Sequence, residues 1–129
     1  MRILLDTHIA LWAISEDDKL PAVASEILAS AHNTIWVSAA SVWEIAIKRS
    51  RRGSAALAIG ASQSISLFER AGFTLLPVTA DHAAAVEHLP PLHGDPFDRI
   101  IVAQAMTEPM RLVTSDRTVA RYSDAIILA

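Results

Sequence analysis

The chain of 129 residues contains no cysteine and no long apolar run. Without cysteine it can form neither disulfide bonds nor zinc sites built from thiolates, and a reducing cytoplasm is its expected location. No apolar run approaches the ~20 residues that a membrane helix needs, and no segment resembles a signal peptide. The sequence also lacks a His-x-x-x-His pair of the kind that binds catalytic zinc. We therefore expect a cytoplasmic protein with no membrane partner.

The composition is that of a compact globular protein, with 52% hydrophobic and 19% charged residues. The length predicts one domain, residues 1–129, with a substantial core. A net charge of −3 does not by itself favour a nucleic-acid partner. However, Lys48, Arg49, Arg51 and Arg52 are clustered, and this basic stretch fits either phosphate contacts or a solvated helix end.

Apolar runs alternate with segments of helical period along the chain, which predicts βα units and a parallel sheet. The fold class we expect is α/β, a three-layer α/β/α sandwich. The predicted strands are Arg2–Leu5, Thr34–Val37, Phe73–Leu76, Arg111–Thr114 and an edge strand at Ala125–Leu128. The predicted helices, with Thr7 and Ser38 as caps of the first and third, are Thr7–Ile14, Pro21–Ala31, Ser38 to about Lys48, Ser62–Ala71, Thr79–Leu89, Pro96–Thr107 and Ser115 or Asp116 to Tyr122, and Ser54–Ile59 is predicted to be a loop.

Four acidic residues stand at or just inside the starts of predicted helices, each of which we expect to follow a strand-like run: Asp6, Glu44, Asp98 and Asp116. In a parallel sheet these positions lie at one edge, the carboxyl ends of the strands. Carboxylates brought together in a half-buried site repel one another unless they are protonated or a cation neutralises them. Mg²⁺ or Mn²⁺ is the usual cation for oxygen ligands, so the pattern indicates metal-dependent chemistry.

Ordinary structural roles compete with this interpretation. The negative charge of Asp6 can be stabilised by the dipole of the helix that follows it, and Ser115 or Asp116 can be an N-cap. Glu44 lies on a largely apolar helix face, where an (i, i+4) pair with Lys48 is the alternative to a functional role.

The Asp95-Pro96-Phe97-Asp98 segment has the composition of a helix start. One acid is enough for capping, so we expect Asp95 to be the cap and Asp98, inside the helix, to be the ligand. The histidines are weaker candidates. His8 is expected to flank the site, and His93 precedes the Asp95 turn.

Several motifs in this order resemble those of PIN-domain nucleases, specifically VapC-type toxins of toxin–antitoxin pairs, over nearly the whole chain. The Asp-Pro-Phe-Asp-Arg string is the most specific of them. A Gly-Lys-Leu turn often found in that family is replaced here by Arg51-Arg52-Gly53-Ser54-Ala55. The matching segments are Leu4-Leu5-Asp6-Thr7-His8 with Leu11-Trp12, Ser38 to Lys48, Gly72-Phe73 with Leu76-Pro77, Leu89-Pro90 with His93, Asp95 to Arg99 with Ala103-Gln104-Ala105, and Thr114-x-Asp116.

The resemblance implies a Mg²⁺- or Mn²⁺-dependent endoribonuclease, a homodimer and a cognate VapB-type antitoxin. It places the metal ligands at Asp6 and Asp98. Glu44 would bind metal or orient its waters, and Asp116 would serve a second or weaker metal site.

Hydrolysis by a metal-activated water would leave a 5′-phosphate and a 3′-hydroxyl. Thr7, Thr114 and Ser115 are expected to orient waters or the scissile phosphate through their hydroxyl groups.

Three other functions are alternatives to the nuclease. A phosphoacceptor signalling domain needs an aspartate ending the middle strand and a late lysine, but the third predicted strand ends in Leu76-Pro77 and the only lysines are Lys19 and Lys48. A haloacid-dehalogenase-like phosphatase needs Asp-x-Asp after the first strand, where this chain has Asp6-Thr7-His8. A metal-free binding module whose acids only cap helices is the third.

Overall fold

The computed structural model describes residues 1–52 and 58–129, which form a five-stranded sheet between two layers of helices. The strands are β1 (Arg2–Leu5), β2 (Thr34–Ser38), β3 (Thr74–Leu76), β4 (Arg111–Thr114) and β5 (Ile127–Leu128). The helices are α1 (Thr7–Ser15), α2 (Ala22–Ala29), α3 (Ala39–Arg52), α4 (Ala61–Arg70), α5 (Ala80–Ala85), α6 (Pro96–Thr107) and α7 (Arg117–Ala120), with 3₁₀ turns at Asp17–Lys19 and Val86–His88. The expected α/β/α sandwich with a parallel sheet is confirmed.

The strand order is β3-β2-β1-β4-β5, and every pairing among the described strands is parallel. Strand β1 is central, because Leu4 pairs with Trp36 of β2 on one side and with Leu112 of β4 on the other. The chain therefore leaves β1 in one direction for β2 and β3 and later returns for β4. Such a reversal of strand order opens a crevice at the carboxyl ends of the strands.

Two buried clusters pack on opposite faces of the sheet, which explains the three layers. Leu4 of β1 belongs to one cluster with Ile101 of α6, whereas Ile3 and Leu5 belong to the other with Phe68 of α4. Side chains of a strand alternate between faces, so an unbroken apolar strand requires cover on both sides. The first acid after β1, Asp6, consequently follows three buried residues of that strand.

The ends of several elements differ from their predicted bounds. Asp6, not Thr7, caps α1, since its Oδ1 accepts from the backbone N–H of Ile9 at 2.9 Å. The predicted helix at Thr79–Leu89 changes to a 3₁₀ turn after Ala85. Helix α3 continues beyond Lys48 to Arg52, so the basic stretch is part of the helix.

The remaining differences concern shorter elements and an undescribed segment. Helix α2 begins after Pro21, which is its N-cap, and ends two residues before the predicted Ala31. The last helix and the last strand are also shorter than predicted. Most of the predicted loop at Ser54–Ile59, with Gly53 before it, lies outside the described residues.

A search of the described residues finds no helix long and apolar enough to cross a membrane.

Gly72 follows Ala71, the C-cap of α4, and this glycine gives a stability prediction. Its φ is +87°, a left-handed conformation that strains any residue with a Cβ, although open space surrounds the position where a Cβ would be added. We expect Gly72→Ala to lower the free energy of unfolding by about 1 kcal/mol, measured by urea denaturation.

Gly94→Ala is the matched control, because Gly94 also has open space around its Cβ position but does not adopt a positive φ. It should change stability by less than about 0.5 kcal/mol. Equal effects of the two substitutions would contradict a backbone origin for the loss at Gly72.

Candidate active site

Four acidic side chains meet at the carboxyl edge of the sheet, and they come from four different segments. Asp6 directly follows β1, Glu44 is in the second turn of α3, which follows β2, and Asp116 follows β4. Asp98 differs from the expectation, because its helix α6 follows a loop and not a strand. It reaches the same edge because α6 precedes β4 and must run back to the start of that strand.

Asp6 is buried, and each of its two carboxylate oxygens accepts a hydrogen bond from the chain around it. Its Oδ1 caps α1, and its Oδ2 accepts a hydrogen bond from Thr114 Oγ1 at the end of β4. Burial raises the pKa of this carboxyl above its ordinary value, and the charge of Glu44 adds to the increase. The hydrogen bonds from Thr114 and Ile9 and the nearby His8 act in the opposite direction. His8 therefore flanks the site, as expected.

Glu44 is 2% exposed and pairs with Lys48 one turn along α3. The pair uses Glu44 Oε2, whereas Oε1 is buried and has no hydrogen-bond partner among the described residues. The structural alternative weighed for Glu44, an (i, i+4) ion pair, is therefore present. It leaves one buried carboxylate oxygen without a donor, which is costly unless a cation approaches it.

Asp98 is half-buried, and the charges of several neighbouring side chains act on it. Its pKa is raised from 3.8 to about 7, first by burial and then by the charges of Asp95, Glu44 and Asp6. His93 opposes the increase, with Nε2 lying 3.4 Å from Asp98 Oδ2. Since carboxylates from three other positions act on it, Asp98 stands at the centre of the acidic group.

Asp116 is the most exposed of the four and is the N-cap of α7. Its Oδ1 accepts from the backbone N–H groups of Thr118 and Val119, while its Oδ2 lies 3.1 Å from His93 Nε2. Partial burial alone would raise the pKa of this carboxyl, but the hydrogen bonds from Thr118, His93 and Val119 outweigh it and lower the pKa. Asp116 is therefore the acid most easily kept ionised.

His93, Asp98 and Asp116 offer donor atoms within 4.8 Å of one another, a grouping that resembles a metal site. The hydrogen bonds around the ring favour a different role. His93 Nδ1 accepts from the backbone N–H of Asp95 at 3.0 Å, so a neutral ring carries its proton on Nε2. A protonated nitrogen cannot bind a metal, and Nε2 instead donates to Asp116. His93 thus donates a hydrogen bond to Asp116 and lies beside Asp98.

The segment that carries His93 is anchored by Arg99 and Tyr122. The Tyr122 hydroxyl accepts from the backbone N–H of His93 at 2.9 Å and from Arg99 Nη1 at 3.1 Å. Arg99 also donates to the carbonyl of Pro90. The arginine of the Asp-Pro-Phe-Asp-Arg string therefore holds in place the loop that leads into α6.

The four supporting residues predicted from the sequence have separate positions. Asp95 caps α6, accepting from the backbone N–H groups of Phe97 and Asp98, as expected. Thr114 joins two of the acids, because its hydroxyl donates to Asp6 and accepts from the Asp116 backbone at 3.0 Å. Thr7 is buried and bonds to Ser41 Oγ at 2.8 Å, and Ser115 is half-buried beside Asp116.

The donor set fits a hard divalent cation. All four acids offer carboxylate oxygens, which Mg²⁺ and Mn²⁺ prefer. The buried Oε1 of Glu44 lacks a donor, and the crowded charges around Asp98 need a positive partner. The structure therefore presents an acidic cluster suited to metal binding.

Sequence reasoning missed two contributors to this cluster. The sequence shows only that His93 precedes the Asp95 turn in a segment that matches the family, and its contact with Asp116 spans 23 residues. Tyr122, the only tyrosine in the chain, lies equally far from Arg99. No local pattern reports contacts of this separation, although His93 and Arg99 both lie in segments that matched the family motifs.

The raised pKa of Asp98 gives a prediction about the metal-free protein. Its carboxyl titrates near 3.8 when unfolded and near 7 when folded, so the folded state is penalised above pH 7 and regains stability as pH falls toward 4. Asp98→Asn should therefore stabilise the protein in EDTA at pH 8 by about 1–2 kcal/mol, a value reduced for partial solvent screening. The gain should shrink toward pH 5.

Urea denaturation at both pH values measures the effect. Asp124→Asn, at an exposed aspartate, is the control and should change little at either pH. A stability difference between wild type and Asp98→Asn that does not depend on pH would contradict charge crowding at Asp98.

Comparisons with known proteins place this site in a family. The PIN-domain family matches residues 3–125 of the chain. Ribonuclease VapC22 of Mycobacterium tuberculosis is 33% identical over 118 residues, which make up 89% of this chain and 87% of that protein.

Solved structures share the fold. VapBC2 from Rickettsia felis, bound to a DNA fragment from its promoter, aligns with 100% of this chain and 98% of that chain, at a TM-score of 0.68 and 22% identity. VapC20 of Mycobacterium tuberculosis, a toxin that cleaves the sarcin–ricin loop, aligns with 95% of this chain and 97% of that chain, at a TM-score of 0.59 and 18% identity. Because the family match spans nearly the whole chain and includes all four acids, the chain belongs to the PIN-domain family.

Proposed function

We propose that the chain is a metal-dependent endoribonuclease and the toxin of a toxin–antitoxin pair. The observation that carries this proposal is the convergence of Asp6, Glu44, Asp98 and Asp116 at one edge of a PIN-domain sheet. The curated relative at 33% identity is a ribonuclease, VapC22, and the similar structures include VapBC complexes. A metal-free binding module is the weaker candidate, because capping does not account for Asp98 or for the buried Oε1 of Glu44.

The cofactor we propose is Mg²⁺, with Mn²⁺ as a substitute. Asp6 and Asp98 are the proposed direct ligands, Glu44 contributes Oε1 directly or through water, and Asp116 serves a second or weaker site. When bound, a divalent cation supplies positive charge for the phosphate and lowers the pKa of a nearby water.

The chain's own residues prepare the site for that cation. Asp6, Asp95 and Asp116 each cap a helix N-terminus through one carboxylate oxygen. These hydrogen bonds fix the directions of the three side chains. Thr114 ties Asp6 to the backbone of Asp116 and so sets the spacing between two carboxylates. In this proposal Thr114 and Ser115 orient water or phosphate. Thr7 braces α1 against α3 through its bond to Ser41.

The proposed reaction is attack of water on the scissile phosphodiester bond. The water oxygen forms a bond to phosphorus while the P–O3′ bond breaks, so the phosphate stays on O5′ of one product and O3′ takes up a proton as the 3′-hydroxyl of the other. Acid–base cleavage through a 2′,3′-cyclic phosphate requires paired general acid and base groups near the sugar, and His93 is committed to Asp95 and Asp116. Cleavage of cellular RNA by this chain would take place in the cytoplasm.

The proposed protein partner is a VapB-type antitoxin that covers the apolar groove beside the acids. A cavity of about 690 Å³ lies there, lined by Trp43, Val78, Val86, Pro96 and Ile100 among others. Trp43 is 59% exposed and packs edge-on against Phe97 at 4.9 Å between ring centroids. An exposed apolar surface of this kind typically marks an interface, and a basic side chain from the antitoxin would meet the acids. We also expect the toxin itself to form a homodimer.

The nuclease proposal predicts that Asp6→Asn and Asp98→Asn each lower the rate of RNA cleavage on the order of a hundredfold or more. Each change removes one ligand charge. The measurement is cleavage of a labelled RNA by the purified chain with Mg²⁺, with product ends identified by their chemistry.

Asp124→Asn provides the control for this experiment, because Asp124 is exposed and lies outside the acidic group. It should cleave like wild type, and EDTA should stop both. Wild-type cleavage that persists in EDTA would contradict metal dependence. A near-normal cleavage rate for either variant would contradict the assignment of that residue as a metal ligand.

The antitoxin proposal predicts that Trp43→Ser weakens the complex with the protein encoded by the neighbouring gene. Loss of one large aromatic anchor from an interface commonly costs about 2 kcal/mol, or roughly thirtyfold in Kd. Binding can be measured by titration calorimetry.

Met106→Ser is the matched control, since Met106 is 54% exposed but does not line the groove. Equal weakening by both substitutions, or by neither, would place the antitoxin elsewhere on the surface.

A further inference from the structure

Lys48 makes an unusual ion pair, because its partner Glu44 is almost fully buried. The Glu44 side chain is 3% exposed and that of Lys48 is 36% exposed, so the lysine reaches from the surface to a carboxylate inside the site. The other lysine, Lys19, pairs with Glu16 at a similar helical spacing, but both of those side chains are well exposed. The chain thus contains two glutamate–lysine ion pairs, one with a buried glutamate and one in which both side chains are exposed.

The two oxygens of Glu44 have different environments. Oε2 accepts from Lys48, whereas Oε1 is buried and has no hydrogen-bond donor among the described residues. A lysine ammonium is a compact point charge, which can hold one carboxylate oxygen and leave the other open. An arginine at this position would tend to engage both oxygens.

The charge of Glu44 is felt by the other acids of the site. It acts on both Asp6 and Asp98, so the carboxylate is near both residues and is not directed toward solvent. Rotation of Glu44 about its side-chain torsions would move the carboxylate relative to these two residues. Lys48, fixed one turn along the same helix, restrains that rotation through Oε2.

We propose that Lys48 is a positioning residue that holds Glu44 Oε2 and thereby presents Glu44 Oε1 to the divalent cation. This inference rests on the proposed function, since it assumes that the acids bind a cation. Lys48 is not placed on the substrate or on the cation, and it acts only through Glu44.

Positioning and simple electrostatics make opposite predictions for the loss of Lys48. Removing a positive charge from the neighbourhood of a cation site should strengthen cation binding if the charge alone matters. Removing the group that orients a ligand should weaken it, typically by 10–100-fold for residues behind metal ligands. The sign of the change in affinity therefore separates the two roles.

The experiment measures Mn²⁺ binding to the purified chain by titration calorimetry, with no RNA present. Lys48→Met keeps most of the aliphatic stem and removes the charge. We expect Mn²⁺ to bind Lys48→Met about tenfold more weakly than wild type. Lys19→Met, which breaks the exposed pair, should bind Mn²⁺ like wild type.

A second comparison covers the case in which Lys48→Met fails to fold because Glu44 is left buried and unpaired. Replacing both members of a buried pair is tolerated better than replacing one. If Lys48 acts only through Glu44, then Glu44→Gln and the double variant Glu44→Gln/Lys48→Met should bind Mn²⁺ within about twofold of each other. A larger difference in either direction would overturn the proposal.

The outcomes also separate this inference from the function on which it rests. Wild-type protein that binds no Mn²⁺ would contradict the metal-dependent site itself. Wild-type protein that binds Mn²⁺, with Lys48→Met binding equally or more tightly, would overturn only the role of Lys48.

Discussion

Carboxylates of Asp6, Glu44 and Asp98 lie where the sheet and its helices exclude water, and this desolvation governs the arrangement of the side chains around them. Burial and then neighbouring negative charges raise the pKa of such a carboxyl, as Asp98 shows at about 7. Each acid is accordingly met by a group that offsets part of the cost. Thr114 donates to Asp6, Lys48 pairs with Glu44, and the ring of His93 lies between Asp98 and Asp116.

These partners neutralise the site only in part. The Thr114 hydroxyl donates a hydrogen bond but brings no positive charge, and Lys48 supplies one ammonium to a group of four acids. A divalent cation would neutralise the negative charge that remains on the four carboxylates. An apolar groove lies beside the acids and includes the exposed Trp43. This edge of the sheet therefore also has an apolar surface that is suited to a protein partner.

Helix capping and metal binding do not exclude one another in this protein. Asp6 and Asp116 cap α1 and α7 through one oxygen each, and their second oxygens contact Thr114 and His93. A cap fixes the side chain at a helix N-terminus, and the helices that follow β1 and β4 begin at the carboxyl edge of the sheet. The same residue can therefore begin a helix and take part in the site.

The order of apolar and helical segments determined the parallel α/β fold, because local periodicity reports which faces must be buried. It also placed Asp6, Glu44 and Asp116 at one sheet edge, since they follow strands, whereas Asp98 reaches that edge because α6 runs back to the start of β4. Tertiary structure alone decided that β1 is central, that His93 lies between Asp98 and Asp116, that Tyr122 anchors the loop before α6, and that Glu44 pairs with Lys48 through Oε2. Those facts depend on contacts between distant segments and on the direction of individual atoms, which no local pattern in a single sequence encodes.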